Sequence, residues 1–172
     1  NVNDDAYIDI LDFGGYIGRS GQSPGASTTC STPPIHPDFS GNGSIGTEDF
    51  TFIQSNFLVA RDPDPCGNPL AAEPPVVDIT IADLVARGEW EAARGDLNLD
   101  GRLNAADITF AAEHGLPACR ADFNHIGGSS VQDIFDFVRL WMDGHPAADI
   151  NDDRHVSVQD IFDFLSLWFA GC

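Results

Sequence analysis

The polar and apolar positions of this chain repeat. The stretch VQDIFDFVRLW begins at Val131, and VQDIFDFLSLW begins at Val158, twenty-seven residues later. In the first copy Ile134, Val138 and Trp141 recur at helical spacing, which predicts a helix with an apolar stripe. Phe135, Phe137 and Leu140 fall largely outside that stripe, so only Asp136, Arg139 and Asp143 interrupt an apolar coat. The second copy repeats the coat with Ile161, Phe162, Phe164, Leu165, Leu167, Trp168 and Phe169. A helix that is apolar on most sides has to be covered by something, either another part of the chain or another chain. Weaker patterns predict helices near 10–17, 47–59, 81–94 and 105–114. Prolines stand before several of the polar segments that precede helices: Pro37 before Asp38, Pro117 before Asp122 and Pro146 before Asp149. Proline breaks an entering helix, so the unit reads as a polar loop followed by a helix. Only Asp96 has an entering helix in this reading. The expected fold class is all-α.

The loops explain the repetition. Aligning the two copies lays Asp122, Asn124 and Asp133 over Asp149, Asn151 and Asp160. In DINDDRHVSVQD, from 149 to 160, oxygen-bearing side chains fall at loop positions 1, 3, 5, 9 and 12. A hard cation such as Ca²⁺ takes six to eight oxygens, and a twelve-residue loop supplies them from these positions plus the backbone carbonyl of position 7. Position 8 is apolar and expected in the core. The candidate ligands here are Asp149, Asn151, Asp153, His155 through its carbonyl, and Asp160. The cleanest copy is DLNLDGRLNAAD, with Asp96, Asn98, Asp100, Arg102 through its carbonyl, and Asp107. DFSGNGSIGTED offers Asp38, Ser40, Asn42, Ser44 and Asp49. NVNDDAYIDILD offers Asn1, Asn3, Asp5, Tyr7, Asp9 and Asp12, with Asn in place of Asp at position 1 and Ala6 in place of glycine at position 6. The Asp122 loop is damaged. Asp122, Asn124, Gly128 and Asp133 remain, but Ile126 stands where an oxygen is needed and Ser129 where an apolar residue is expected. A further half-site has decayed, because ITIADLVA looks like a loop end and its helix while Ala72, Pro74 and Val76 upstream have no ligating side chains. Four to five Ca²⁺ ions are expected, with occupancy of the Asp122 loop left open. The competing reading is a set of solvated acidic turns.

Charge and cysteine change the picture further. The chain has 27 Asp and Glu against 8 basic residues, all arginine, for a net charge of −19. That balance argues against nucleic acid, whose phosphates need cationic partners. Apolar residues make up 42%, which favours a packed core over disorder. Five divalent ions would cancel about ten charges and ease approach between chains. Cys30, Cys66, Cys119 and Cys172 form no CxxC pair, which argues against a thiolate zinc site. Their spacing suits two disulfides in an exported protein. Cys119 and Cys172 bracket the doubled helix and Cys30 and Cys66 bracket another segment, so that pairing is favoured over the other connectivities. No apolar run is long enough to insert into a membrane. Asn1 in place of Met suggests a secreted, processed chain at the cell surface or beyond it. The loop GRSGQSPGASTTCSTPP reads as an ordinary connection, and Asn42 of the Asn-Gly-Ser sequon as a ligand.

Duplicated loop–helix halves with Asp at position 12 resemble dockerin modules. The pair at Asp122–Asp133 and Asp149–Asp160, ending Ala170-Gly171-Cys172, looks like dockerin-like domains of exported bacterial proteins that end in Gly-Cys. NVNDD and DFTFIQ carry the likeness in the first part of the chain. The loops pair into three modules, at 1–68, 69–118 and 119–172, of which the middle one is the loosest match. The resemblance implies antiparallel helices clasping near-symmetric calcium sites, and docking to a cohesin-like receptor. Excess apolar helix surface, carried by Phe135, Phe137, Trp141, Phe162, Phe164, Trp168 and Phe169, points instead to copies of the chain itself as partner. The expectation is therefore a non-enzymatic, extracellular, calcium-binding structural protein that assembles into a fibre or surface layer, with tethering to a receptor as the alternative. No catalytic residues stand out: lysine is absent, no GxSxG or HExxH occurs, and the calcium template already uses nearly every conspicuous carboxylate.

Overall fold

The computed structural model describes residues 7–20, 37–60, 74–116 and 119–171. Among these residues stand six α-helices: α1 (Ile10–Ile17), α2 (Thr47–Asn56), α3 (Ile81–Ala86), α4 (Ala105–His114), α5 (Val131–Met142) and α6 (Val158–Ala170). Two short strands, β1 (Asp78–Thr80) and β2 (Arg102–Asn104), make one antiparallel sheet. The chain is thus mostly helical, and the all-α expectation is corrected by this sheet. Its origin is local. Asp78–Thr80 and Arg102–Asn104 occupy positions 7–9 of the decayed loop and of the Asp96 loop, where the backbone is extended. They pair in register, with Ile79 opposite Leu103. Both side chains occupy position 8, and both are buried.

The helix starts share one device. Residue 9 of each loop is the N-cap and residue 12 is the third helical residue, so the two form a reciprocal capping box. Ser130 accepts from the Gln132 N–H while the Ser130 N–H donates to Asp133. Ser157 and Asp160 repeat this in α6, Asn104 and Asp107 in α4, and Asp9 and Asp12 in α1. Gly46 has no side chain to offer, but its N–H still donates to Asp49 at 2.8 Å.

Two expected helices end early for identifiable reasons. After α2, Phe57 turns extended and Leu58 takes a left-handed φ of +63°. The freed strand then pairs with loop residues 7 and 8: Ile8 donates to the Val59 carbonyl at 3.3 Å and Leu58 to the Ile8 carbonyl at 2.7 Å. The helix expected over 81–94 stops at Ala86 because Gly88 has φ +78°, letting Glu89 N–H return to the Leu84 carbonyl. Residues 92–95 then form a separate 3₁₀ turn.

Apolar burial falls into two clusters. The first spans Ile8 to Ala111, so residues of the expected first and second modules share one core. Its centre is α1, laid against the 3₁₀ turn at Ala92–Gly95. A Cβ on Gly14 would sit 2.6 Å from the Ala92 carbonyl oxygen, and one on Gly95 would sit 2.7 Å from the Gly14 Cα. Two backbones touch here, which only glycine allows. The second cluster runs from Phe123 to Phe164 and has a pseudo-two-fold arrangement. Phe137 and Phe164 occupy equivalent helix positions and stack at 4.2 Å with an interplanar angle of 5°. Phe123 meets both rings edge-on. Trp141 donates to the Ser157 carbonyl at 2.6 Å, and Trp168 returns the same bond to Ser130 at 2.9 Å.

Gly14→Ala is expected to destabilise the chain by about 1–3 kcal/mol, because its methyl meets backbone rather than a movable side chain. Phe137→Ala is expected to cost about 3–5 kcal/mol by leaving a cavity between α5 and α6. Denaturant unfolding of each variant measures both, and a Gly14→Ala curve superimposable on the parent would contradict the backbone contact.

Candidate metal centres

The four loops starting at Asp38, Asp96, Asp122 and Asp149 fold the same way. Position 4 is left-handed in each: Gly41 (φ +72°), Leu99 (+59°), His125 (+58°) and Asp152 (+64°). Position 6 is left-handed as well: Gly43 (+87°), Gly101 (+88°), Gly127 (+82°) and Arg154 (+66°). These two reversals wind the chain back on itself, so that loop N–H groups meet the side-chain oxygens of position 1 and, outside the Asp122 loop, of position 5. The side chains of those positions are held by the loop's own N–H groups. Asp96 accepts from Asp100 and Gly101, at 3.1 and 2.8 Å. Asn98 accepts from Asp100, and Asp100 from Arg102. Asp149, Asn151 and Asp153 reproduce these bonds one by one. Asp38 takes the N–H groups of Gly41, Asn42 and Gly43, and Asn42 that of Ser44. Desolvation raises the Asp38 carboxyl, but the Gly43 and Gly41 N–H groups outweigh it and hold it below its ordinary value.

Position 12 closes each loop. Asp49 receives the Ser40 N–H at 2.8 Å in addition to its cap bond. Asp107 receives Leu97 and Asn98, Asp133 receives Asn124, and Asp160 receives Ile150 and Asn151. All of these carboxylates are fully buried, as is Asp12. Asp49, Asp107, Asp133 and Asp160 form no ion pair with an arginine or histidine among the described residues. Burial pushes the Asp107 carboxyl up to about 6, with the Asn104 and Asn98 N–H groups pulling it down and Asp96 adding to the rise. A buried carboxylate without a cationic partner is costly, and hydrogen bonds, protonation or a cation can each offset that cost. The donor set is oxygen throughout, which fits a hard ion such as Ca²⁺ and not a soft one. Among the described residues, no three His, Cys, Asp or Glu side chains gather closely enough to hold an ion by themselves. Asparagine, serine and the position-7 carbonyl would have to complete any such shell.

The position-7 side chains take no part. Arg102 pairs outward with Asp78 at 2.8 Å, and His155 is 82% exposed. His125, at position 4 of the damaged loop, is half-buried, and that burial lowers its pKa. In the same loop Asp122 reaches the N–H of Gly128 rather than that of Gly127, and Ile126 is 54% exposed. This loop has slipped by one residue and offers no side-chain oxygen at position 5. In the first loop, Asp9 is committed elsewhere: its carboxylate caps α1 through Leu11 and accepts from Val76 at 2.6 Å. Asn1, Asn3 and Asp5 lie outside the described residues, as do Cys30, Cys66 and Cys172. Cys119 is disulfide-bonded.

Of the expected surface aromatics, Phe137 and Phe164 are corrected to core residues, both 0% exposed because they stack on each other. Trp141 and Trp168 are held by their indole hydrogen bonds. Phe135, Phe162 and Phe169 remain exposed, at 65%, 60% and 78%.

Sequence reasoning missed the contacts that join the two cores. Trp90 donates to Asp149 Oδ2 at 3.0 Å, and Arg94 reaches the same oxygen at 3.2 Å and the Asp149 carbonyl at 2.9 Å. Arg94 and Arg120 both pair with Asp152. Burial raises the Asp152 carboxyl, but these two guanidinium groups hold it below the usual carboxylate range. His145 Nε2 lies 3.4 Å from Asp96 Oδ2 without a hydrogen bond. The available signal was Arg154, an arginine at the position where three other loops carry glycine.

No protein-family model, curated protein or solved structure matches this chain. What the fold and loops define is a mostly helical protein built on repeated acidic turns.

Asp107→Asn turns one acceptor into a donor facing a backbone N–H, so it is expected to cost about 1–3 kcal/mol even without an ion. With calcium present it is expected to reduce the bound ions by one per chain. Elemental analysis of the dialysed protein beside thermal melts checks both, and an unchanged ion count would remove Asp107 from the ligand set.

Proposed function

We propose that this is a non-enzymatic, extracellular, calcium-binding structural protein that assembles with copies of itself into a fibre or surface assembly. Its units would be dockerin-like loop–helix modules at 1–68, 69–118 and 119–172. The observation that carries the assembly reading is a pair of uncovered stripes. On α5, Val131, Phe135, Val138 and Met142 fall at 4-3-4 spacing, and all four are exposed. On α6, Val158, Phe162, Leu165 and Phe169 fall at the same spacing, and all but the half-buried Leu165 are exposed. A 4-3-4 spacing is that of a helix seam made to meet another helix. At about 100° per residue, each stripe lies well away from the Phe137–Phe164 contact. Each stripe is a patch on the order of several hundred Å², the size that marks interaction sites.

A unit with two near-identical patches can meet one neighbour at each, and contacts that do not close into a ring grow open filaments. The calcium reading is supported by the buried position-12 carboxylates, which have oxygen-rich loops around them and, among the described residues, no arginine or histidine pairing with them. An extracellular setting is supported by the disulfide at Cys119. The carboxylates that acid–base chemistry would need are occupied as acceptors for their own loop backbones, which supports a structural role over catalysis.

Light scattering of the purified chain across concentration, with calcium present, is expected to show large particles. Phe135→Asp combined with Phe162→Asp is expected to abolish them while leaving the far-UV circular dichroism unchanged, because both rings are exposed. A parent chain that stays monomeric throughout would sink the self-assembly reading. Capture of a distinct soluble receptor by that monomer, lost in the double variant, would replace it with a docking role.

A further inference from the structure

The Asp149 loop differs from its relatives in what it lacks. It has no glycine at either left-handed position. Asp152 and Arg154 hold φ values of +64° and +66°, a region unfavourable for side chains with a Cβ. The Asp38 loop has glycine at both positions, and the Asp96 and Asp122 loops have it at position 6. The Asp149 loop also has something the others do not. Its first ligand and both of its strained positions are gripped by one short segment of the other core, Trp90-Glu91-Ala92-Ala93-Arg94. Position 1 is held by the Trp90 indole and by Arg94, both on Asp149 Oδ2. Position 4 is held by Arg94 on Asp152. Position 6 is held by Glu91, 3.3 Å from the Arg154 guanidinium. Among the described residues, the carboxylates of Asp38 and Asp122 receive no hydrogen bond from outside their own loops. Asp96 has only the His145 approach, which is not a hydrogen bond.

We propose that Trp90, Glu91 and Arg94 are positioning residues for the Asp149 loop, so that this loop takes its cation with full affinity only while the two cores are docked. The inference rests on the cation reading given above. Outer partners of a ligating carboxylate fix which oxygen faces the ion, and losing them typically weakens an ion by about 10–100-fold. With Oδ2 committed to Trp90 and Arg94, Oδ1 of Asp149 is left for the loop interior, where it already meets the Asp153 N–H at 3.1 Å. The cradle also holds the position-6 reversal that glycine secures in the other three loops. Linkage then runs both ways: a cation in this loop strengthens the docking of the cores by the same factor that docking strengthens the cation.

Charge alone predicts the opposite sign for one variant. A guanidinium beside a cation site repels the cation, so a purely Coulombic role for Arg94 would make Arg94→Gln bind more tightly. The positioning role makes it bind more weakly, because Asp149 Oδ2 then keeps only Trp90 and Asp152 keeps only Arg120. Trp90→Phe removes a neutral donor and carries no such ambiguity.

The test is calorimetric titration of calcium into the full chain after chelation and dialysis, for the parent, Trp90→Phe, Arg94→Gln, and Arg94→Gln combined with Arg154→Gly. The parent is expected to show several sites. Trp90→Phe and Arg94→Gln are each expected to weaken one site by about 10–100-fold and leave the others in place. Arg154→Gly, which supplies the missing glycine, is expected to restore part of that loss, an outcome that general destabilisation would not give. Unchanged affinities in Trp90→Phe, or tighter binding in Arg94→Gln, would overturn the positioning role while leaving the calcium reading intact. Equal weakening of every site with loss of helical signal would overturn it in favour of a folding role. A parent chain that binds no calcium at all would overturn both.

Discussion

The structure depends on an aspartate that is buried at the start of a helix. At Asp49, Asp107, Asp133 and Asp160, one carboxylate does three things. It accepts the N–H of the residue that caps its helix, it accepts an N–H from the beginning of the loop, and it holds the loop closed between them. Closing the loop in this way directs position 8 inward, which is how Ile45, Leu103 and Val156 come to pack against the cores. Burying a charge is costly, by several kcal/mol after relaxation when nothing compensates it. Backbone N–H groups offset part of that cost. In a chain with a net charge of −19, a cation in the loop itself is the compensation we propose for the rest.

The two cores use the same unit in different ways. In the second, two loop–helix units face each other across a pseudo-two-fold axis, with Phe137 on Phe164 and each tryptophan bonded to the opposite loop. Symmetry uses one face of each helix for the core and leaves another, equally apolar, without a partner. The first core is asymmetric. There α1 is fully buried, pressed on one side against the Ala92–Gly95 turn through Gly14, and among the described residues no equivalent stripe is left over. The difference in surface follows from the difference in packing, since both cores start from similar loops.

Much of this was legible in the sequence, because the loop template is short and its spacing is fixed. Asp38 to Asp49, Asp96 to Asp107 and Asp149 to Asp160 fold as their spacing requires, and the decayed half-site reappears as β1, paired at position 8 with its better-preserved neighbour. The fate of the apolar coat was less legible. Phe135 and Phe137 are two residues apart and chemically identical, yet one is exposed and the other buried, because only the 137 position meets its pseudo-symmetric mate. The helix expected across 81–94 failed at Gly88, whose left-handed turn ends α3 and frees Trp90, Glu91 and Arg94 to reach another loop. Such reach spans more than fifty residues, and neither periodicity nor local spacing encodes it.

The central claim is that cations neutralise the buried aspartates and that the fold needs them to do so. Thermal unfolding of the intact chain in excess calcium, against the same chain in excess chelator, tests it most directly. A site at about 100 times its dissociation constant contributes about 2.7 kcal/mol, and several such sites in a chain of this size correspond to a shift of about 20 °C or more. The account predicts a fall of that order on chelation. Coincident melting curves in calcium and chelator would contradict it.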